Sequence, residues 1–187
     1  NFLGAAYMQV PVAITVEGAN ILTRSLIVFG QGAIRCHPYV LKEMHAAREP
    51  DRARASLAFD AALTGHLRFA LTSFARTFVM GLTGSHFVGV PANIAPRTRR
   101  YYQQLTRFSS ALAFVADVSM GTLGGALKRK EKLSARLGDI LSLLYLSSAA
   151  LKQFEAQGRH SADEPLLHWA MWDAMFKAQN AFEGVLS

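Results

Sequence analysis

Cysteine is almost absent from this sequence. Cys36 is the single thiol among 187 residues, so an internal disulfide cannot form and the composition suits a reducing compartment. Charged residues are also few, at 18%, whereas 51% of the residues are hydrophobic. A chain this apolar can bury a core, which excludes an intrinsically disordered protein. We therefore predict a folded protein located in the cytoplasm.

Proline and strand-like patterns are scarce as well. The six prolines lie mostly between long segments of helical periodicity, and no segment alternates apolar and polar residues with the period of two that marks a strand. Alanine and leucine, which favour helix, are abundant. The sequence shows no convincing internal repeat. It thus predicts an all-α protein built as a helical bundle.

The helix boundaries follow from capping and breaking residues. Pro38 suits the first turn of a short helix, and Asp51 caps a long helix that runs through about Met80. Further helices are predicted over 97–122, 133–158 and 166–187. The glycine-rich segment 121–132 breaks the chain between the first two of these, and Gly158 closes the second.

Each long helix carries an apolar stripe that needs a packing partner. In the helix capped by Asp51, the stripe comprises Leu57, Ala61, Leu67, Leu71, Phe74 and Phe78. In the next helix it comprises Leu105, Phe108, Leu112 and Val115. The aromatic residues of the last helix are interpreted as core or as a partner interface rather than a ligand cage: Trp169, Trp172 and Phe176. Burying these stripes requires neighbours in this chain or in another one.

The net charge of the chain is +7. Such an excess favours nucleic acid, an anionic membrane surface or a phosphorylated ligand, and charge alone does not choose among them. The densest basic run, LKRKEK (127–132), is by default a solvated helix face, with contact to a membrane or to the rest of the polypeptide as the functional alternative. Nucleic acid is not predicted as a partner, because the aromatic residues lie in apolar stripes.

A lone carboxylate marks the N-terminal part of the chain. Glu17 lies in the uncharged stretch PVAITVEGAN (11–20), and no other acid occurs before Glu43. It is either a solvated loop residue or an acid held where water is scarce. Gly18 allows a tight turn and the close approach of a ligand, and Asn20 suits the start of a helix. By spacing alone, a loop before a helix is the commoner interpretation.

Three stretches together resemble the acyl-CoA dehydrogenases. They are TVEGANILTRSLIVFGQGAIRCHPYV (15–40), LGGALKRKEKLSARLGDILSLLYL (123–146) and PLLHWAMWDAMFKAQNAF (165–182). The similarity is strongest to the large bacterial fatty-acyl-CoA dehydrogenases, which carry an extra helical region after the usual core. The resemblance implies that 1–50 end the C-terminal catalytic helical domain, and that 51–187 form an additional C-terminal helical domain. The chain would then be a C-terminal fragment of a longer polypeptide.

The resemblance also assigns a site. Glu17 matches the catalytic base of the family, whose motif is a Glu-Gly pair before a helix. The positions that match the cofactor-binding residues are Gly18, Ala19, Asn20 and Arg24. This sequence has Val16 where the family usually has an aromatic residue. It has Ala19 in place of a hydroxyl residue that helps to hold the flavin, a contact for which Asn20 is the substitute.

The activity implied by the resemblance is the flavin-dependent α,β-dehydrogenation of fatty acyl-CoA to trans-2-enoyl-CoA, the first step of fatty acid β-oxidation. A base removes the α-proton while the β-hydrogen leaves as hydride to FAD, which domains upstream would mainly bind. The main-chain N–H of Glu17 would stabilise the charge on the thioester oxygen. An apolar acyl chain closing over the Glu17 carboxylate would raise its proton affinity.

The partners implied are the fatty acyl-CoA substrate, an electron-transferring flavoprotein as acceptor, and further copies of the chain in a homo-oligomer. An alternative of a different class is a non-catalytic helical interaction module. It would serve oligomerisation or peripheral association with the inner membrane.

Other polar pairs give weaker signals. Cys36 and His37 are adjacent, but no second pair at metal-ligand spacing exists, so no metal site is predicted. Ser85 and His86 lack the Gly-x-Ser-x-Gly motif of a nucleophile elbow. Three histidines have no acidic partner at a useful spacing and are interpreted as structural: His66, His160 and His168.

Overall fold

The computed structural model describes residues 31–187, without the side chain of Lys128, and five earlier positions: Gly4, Tyr7, Met8, Pro11 and Val12. This part of the chain is helical and contains no strand. The prediction of an all-α fold is therefore confirmed.

Six α-helices and one 3-10 helix follow one another in the range 31–187. They are α1 Gly32–Cys36, α2 Val40–Ala46, α3 Arg52–Leu82, α4 Arg99–Leu123, the 3-10 helix Gly124–Arg129, α5 Glu131–Ala156 and α6 Glu164–Leu186. The helices predicted between Pro38 and the end of the chain thus all form, with ends displaced by a few residues. The helix expected directly after Asn20 lies outside the described residues.

Capping residues set these ends as the sequence predicted. The side chain of Asp51 accepts hydrogen bonds from the main-chain N–H groups of Ala53 and Arg54, at 3.0 and 3.4 Å, which fixes the start of α3. Gly124 ends α4 with φ +48° and ψ −128°, a conformation that a residue with a Cβ atom adopts only with strain. Gly158, with φ +90°, follows the end of α5.

The hydrophobic core lies between α4, α5 and α6. Its largest fully shielded side chains are Leu137, Ile140 and Leu151 of α5 and Met171 of α6. Tyr101 and Leu105 of α4 belong to the same buried cluster, and the predicted stripe residues Phe108, Leu112 and Val115 pack against it. The last three helices therefore form the stable centre of the bundle.

The segment Arg99–Leu127 is long and apolar enough to cross a membrane, by length and composition alone. In this structure, however, α4 packs against both α3 and α5. It is the central helix of the bundle.

The predicted apolar stripe of α3 is not buried within the described chain. Leu57, Leu67 and Leu71 are 74%, 58% and 68% exposed, and Phe74 and Phe78 are about half exposed. The buried positions of α3 are instead Ala62, Ser73 and Met80, and α3 packs against α2 and α4. Most of the large apolar side chains of the predicted stripe therefore lie outside these contacts.

Glu155 of α5 anchors the long connection between α3 and α4. Its Oε1 atom accepts hydrogen bonds from Thr98 Oγ1 at 2.9 Å and from the Ala95 N–H at 3.4 Å, and its Oε2 atom pairs with Arg159. Burial by itself would raise the pKa of the Glu155 carboxyl. The hydrogen bonds from Thr98, Arg159 and Ala95 outweigh burial and hold that pKa below its ordinary value.

We expect Glu155→Gln to destabilise the fold at neutral pH by about 1–3 kcal/mol, because a charged acceptor of several hydrogen bonds is lost. A depressed folded-state pKa contributes stability above the unfolded-state pKa, and this stability is lost as the pH falls through the folded-state value. The difference in melting temperature between wild type and variant should therefore shrink on acidification. Thermal unfolding at several pH values measures it. Glu131→Gln, at the exposed start of the same helix, is the control. A difference that does not change with pH would contradict the assignment.

Candidate functional site

The residues that the sequence assigned to catalysis and to the flavin are Glu17, Gly18, Ala19, Asn20 and Arg24. All five lie outside the described residues, so their roles stay predictions. The structure describes the chain from Gln31 onward, and this part contains two candidate functional features. One is a buried polar cluster and the other is an apolar groove.

Two histidines and two carboxylates lie close together where residues from α2, α3 and α4 meet. We call His37, Glu43, His66 and Asp117 the histidine–carboxylate cluster. His37 Nε2 lies 2.8 Å from Asp117 Oδ1, and His66 Nδ1 lies 2.8 Å from Glu43 Oε1. His66 Nε2 is 3.6 Å from the same Asp117 oxygen. The cluster thus connects four parts of the fold. His37 lies in the turn before α2, and the other three residues lie on α2, α3 and α4.

Local hydrogen bonds orient the His37 ring. Its Nδ1 atom accepts the main-chain N–H groups of Tyr39 and Val40 at 3.2 and 3.1 Å, where α2 begins and its first amides have no helical partner. A neutral ring that accepts at Nδ1 carries its hydrogen on Nε2, which faces Asp117. Burial lowers the pKa of His37 below its ordinary value, against the opposing effect of the Asp117 charge.

Close backbone approach brings His66 into the same cluster. A Cβ atom on Gly65 would lie 2.3 Å from Cε1 of Tyr39, so only glycine lets the tyrosine ring rest against α3 at this point. The Tyr39 and His66 rings are stacked with 6.2 Å between centroids, and the His37 and His66 rings are 4.6 Å apart. Any side chain at residue 65 would push this aromatic layer away.

Asp117 is the most enclosed charge of the cluster, with 8% of its surface exposed. Its 2.8 Å contact with His37 has the distance of an ion pair but not the alignment of a hydrogen bond. Within the described structure, neither carboxylate oxygen of Asp117 nor His37 Nε2 therefore has an aligned hydrogen-bond partner. Buried polar atoms usually have such partners, so the cluster is an exception that calls for a physical account.

His66 has two acidic neighbours from other helices, Glu43 and Asp117, which no local spacing could show. For His168, the statement that no acid lies at a useful spacing was wrong. His168 has Glu164 four residues earlier on α6, at 3.4 Å, and its Nδ1 atom is 2.5 Å from the Tyr101 hydroxyl. The i, i+4 spacing was the available signal for the latter pair. His160 is exposed, and its structural role stays a prediction.

A second feature is an apolar groove between α3, α4 and α6. We call it the three-helix groove; it has a volume of about 610 Å³. Among its lining residues are Arg100, Arg107, Phe108, Phe114, Trp172 and Phe182. Phe74 of α3 packs on Phe114 with ring centroids 5.3 Å apart, and Phe108 packs on Phe182 at 5.9 Å. Aromatic walls with arginines among them therefore characterise the groove.

Three aromatic residues of α6 are not part of the core. Trp169, Trp172 and Phe176 are 66%, 70% and 64% exposed, so the predicted core role is wrong and the partner-interface role stays a prediction. Together with the exposed stripe of α3, they leave large apolar surface on two helices of the bundle. Contiguous apolar surface of this kind marks interaction sites in soluble proteins.

Comparison with known proteins identifies the protein family of this sequence. Residues 34–187 match the family model described as "Acyl-CoA dehydrogenase, C-terminal, bacterial type". The match contains the whole histidine–carboxylate cluster and the three-helix groove, and it starts after the predicted catalytic motif. No solved structure matches the chain.

Proposed function

Because this chain belongs to the acyl-CoA dehydrogenase family, as its bacterial-type C-terminal region, we propose that it is part of an FAD-dependent fatty-acyl-CoA dehydrogenase. The proposed reaction converts fatty acyl-CoA to trans-2-enoyl-CoA, the first step of β-oxidation. The observation that carries the proposal is the family match over 34–187, directly downstream of the Glu17-Gly18 pair.

In the proposed reaction, the Glu17 carboxylate removes the α-proton of the thioester, and the Glu17 N–H donates to the thioester oxygen. The donor stabilises negative charge that develops as the proton leaves. FAD, when bound, accepts the β-hydrogen as hydride. We assign Gly18, Ala19, Asn20 and Arg24 to the cofactor side of the site. This assignment rests on the family alone, since these residues lie outside the described part of the chain.

The remaining elements of the proposal also rest on the family. The electron acceptor is an electron-transferring flavoprotein and the enzyme is a homo-oligomer. The proposed location in the cytoplasm rests instead on the single cysteine. The base and the flavin residues assigned above lie before residue 51. We propose that the additional helical region contributes through contacts with other parts of the assembly.

A second function, that of an interaction module, is supported by the exposed apolar side chains of α3 and α6. Phe78 of α3 is 56% exposed and Trp172 of α6 is 70% exposed, and the three-helix groove lies between these helices. Large aromatic side chains of this kind are typical anchors of protein interfaces. We propose that this surface contacts the dehydrogenase core or a second subunit. Peripheral membrane association is the alternative.

We expect the double variant Phe78→Ser, Trp172→Ser to weaken self-association of the complete polypeptide at least tenfold, since loss of an interface anchor typically costs about 2 kcal/mol or more. Light scattering across a range of protein concentrations measures the change. Tyr145→Ser, which removes a 72% exposed aromatic of α5 outside the groove, is the matched control. Unchanged assembly of the double variant would rule out this surface as a subunit interface. Loss of binding to anionic vesicles would favour the membrane instead.

A further inference from the structure

We propose that the histidine–carboxylate cluster binds a divalent transition metal ion, with His37, His66 and Asp117 as ligands and Zn²⁺ as the ion of reference. One ligand atom from each of these residues lies within 4.8 Å of the other two. His37 lies in the turn before α2, His66 lies on α3, and Asp117 lies on α4. Such convergence of two imidazoles and a carboxylate is the donor set of many zinc sites.

The first argument is the state of the buried donors. Both Asp117 oxygens and His37 Nε2 are shielded from solvent and have no aligned hydrogen-bond partner in the described structure. A buried carboxylate without such partners is costly in free energy. A cation bound between these atoms would satisfy all three at once, because a metal ion requires converging lone pairs rather than linear N–H donors.

The second argument is the outer contact of His66. Glu43 Oε1 lies 2.8 Å from Nδ1 of this ring, the arrangement that orients metal-binding histidines in known sites. With its hydrogen on Nδ1, His66 directs the lone pair of Nε2 towards Asp117 Oδ1 at 3.6 Å. Two lone pairs that face each other repel, and a metal ion between them turns this repulsion into coordination.

The distances suit a small ion. In a tetrahedral zinc site with ordinary bond lengths, ligand atoms lie about 3.4 Å apart. The separations from Asp117 Oδ1 are 2.8 Å to His37 Nε2 and 3.6 Å to His66 Nε2, one shorter and one longer than this value. The third separation, between the two histidine nitrogens, is at most 4.8 Å, so the two imidazoles must approach each other by up to about 1.4 Å to close the site. Mixed imidazole and carboxylate donors favour zinc and similar ions over calcium or magnesium.

Metal binding has a specific cost at His37. A neutral imidazole bound through Nε2 carries its hydrogen on Nδ1, where it meets the N–H groups of Tyr39 and Val40. Binding therefore replaces two hydrogen bonds at the start of α2. Both amides lie at a helix N-terminus, where water can take over. The site is mostly buried, so we assign the ion a structural role in fastening the turn at His37 to α3 and α4.

The test uses the complete polypeptide, purified without an affinity tag and freed of metal by chelation. Calorimetric titration with Zn²⁺ should show one site per chain, and Co²⁺ should give the visible absorption of a tetrahedral site. Asp117→Asn and His66→Gln should abolish saturable binding. Glu43→Gln should weaken it roughly 10–100-fold, as expected for an outer partner of a ligating histidine. Cys36→Ser and His160→Gln remove exposed donors outside the cluster and should bind as wild type does.

Two outcomes would overturn the proposal. One is no saturable Zn²⁺ or Co²⁺ binding by the wild type at micromolar concentrations, which would leave a histidine–carboxylate cluster that holds no metal. The other is undiminished binding by Asp117→Asn and His66→Gln. Where those variants fail to fold, Glu43→Gln and the NMR amide signals of Tyr39 and Val40 in the wild type decide. Both signals should shift with one equivalent of Zn²⁺, and unshifted signals would count against His37 as a ligand.

Discussion

Glu17→Gln is expected to leave FAD bound to the complete enzyme and to lower its turnover of fatty acyl-CoA by about 10²–10⁴-fold. Gln has nearly the same shape as Glu and keeps the main-chain N–H, so the donor to the thioester oxygen stays in place. It cannot accept the α-proton, and a positioned general base contributes a factor of this size. The loss should appear in kcat rather than in KM, because the base acts in the chemical step and not in binding.

The measurement is steady-state oxidation of a fatty acyl-CoA with an artificial electron acceptor, together with the flavin absorption spectrum of the purified variant. Glu49→Gln is the matched control, since Glu49 is an exposed acid in the turn between α2 and α3. It should retain wild-type turnover. Near-normal turnover of Glu17→Gln with bound flavin would remove Glu17 from the mechanism. The family membership would stand, because it rests on 34–187.

Local sequence signals were sufficient for the helices of the described region. The Asp51 cap, the break at Gly124 and the stop at Gly158 are all short-range features that depend on one residue and its neighbours. Helical periodicity fixed the type of each segment between them. The proposed division of the chain at residue 50 stays a prediction. The structure adds that α2 packs against α3.

The histidine–carboxylate cluster could not be predicted in the same way. Its members, at positions 37, 43, 66 and 117, meet only when α2, α3 and α4 pack, and sequence spacing carries no information on that contact. The role of Gly65 could not be predicted either, because it depends on the contact between this residue and the Tyr39 ring. Long-range polar contacts are therefore the part of the candidate site that the sequence could not supply.

The apolar periodicity of α3 is correct as a helix signal and misleading as a burial signal. Periodicity reports which residues share a face, whereas burial depends on what covers that face. In the described chain the covered face holds Ala62 and Met80, and the stripe with Leu71 and Phe78 is exposed. A stripe of this kind is what an interaction surface leaves when one partner is viewed alone. It is the reason for testing assembly as well as catalysis.

Leu137→Ala is expected to destabilise the helical region by about 2–5 kcal/mol. Leu137 is fully buried on α5 within the cluster that joins α4, α5 and α6, so truncation removes apolar contacts and leaves a cavity. In a domain of this size, the melting temperature should fall by roughly 4–20 °C. Urea or thermal unfolding followed by far-ultraviolet circular dichroism measures the effect.

The matched control for this change is Leu146→Ala, which makes the same truncation on the same helix at a side chain that is 61% exposed. Surface substitutions usually alter stability by less than about 0.5 kcal/mol, so the two leucines should differ several-fold. Equal losses would mean that the outer face of α5 is covered by another chain. Repeating the unfolding at two protein concentrations separates these cases. If a subunit contact covers Leu146, the stability of the wild-type protein depends on protein concentration. If Leu146 is buried within one chain, it does not.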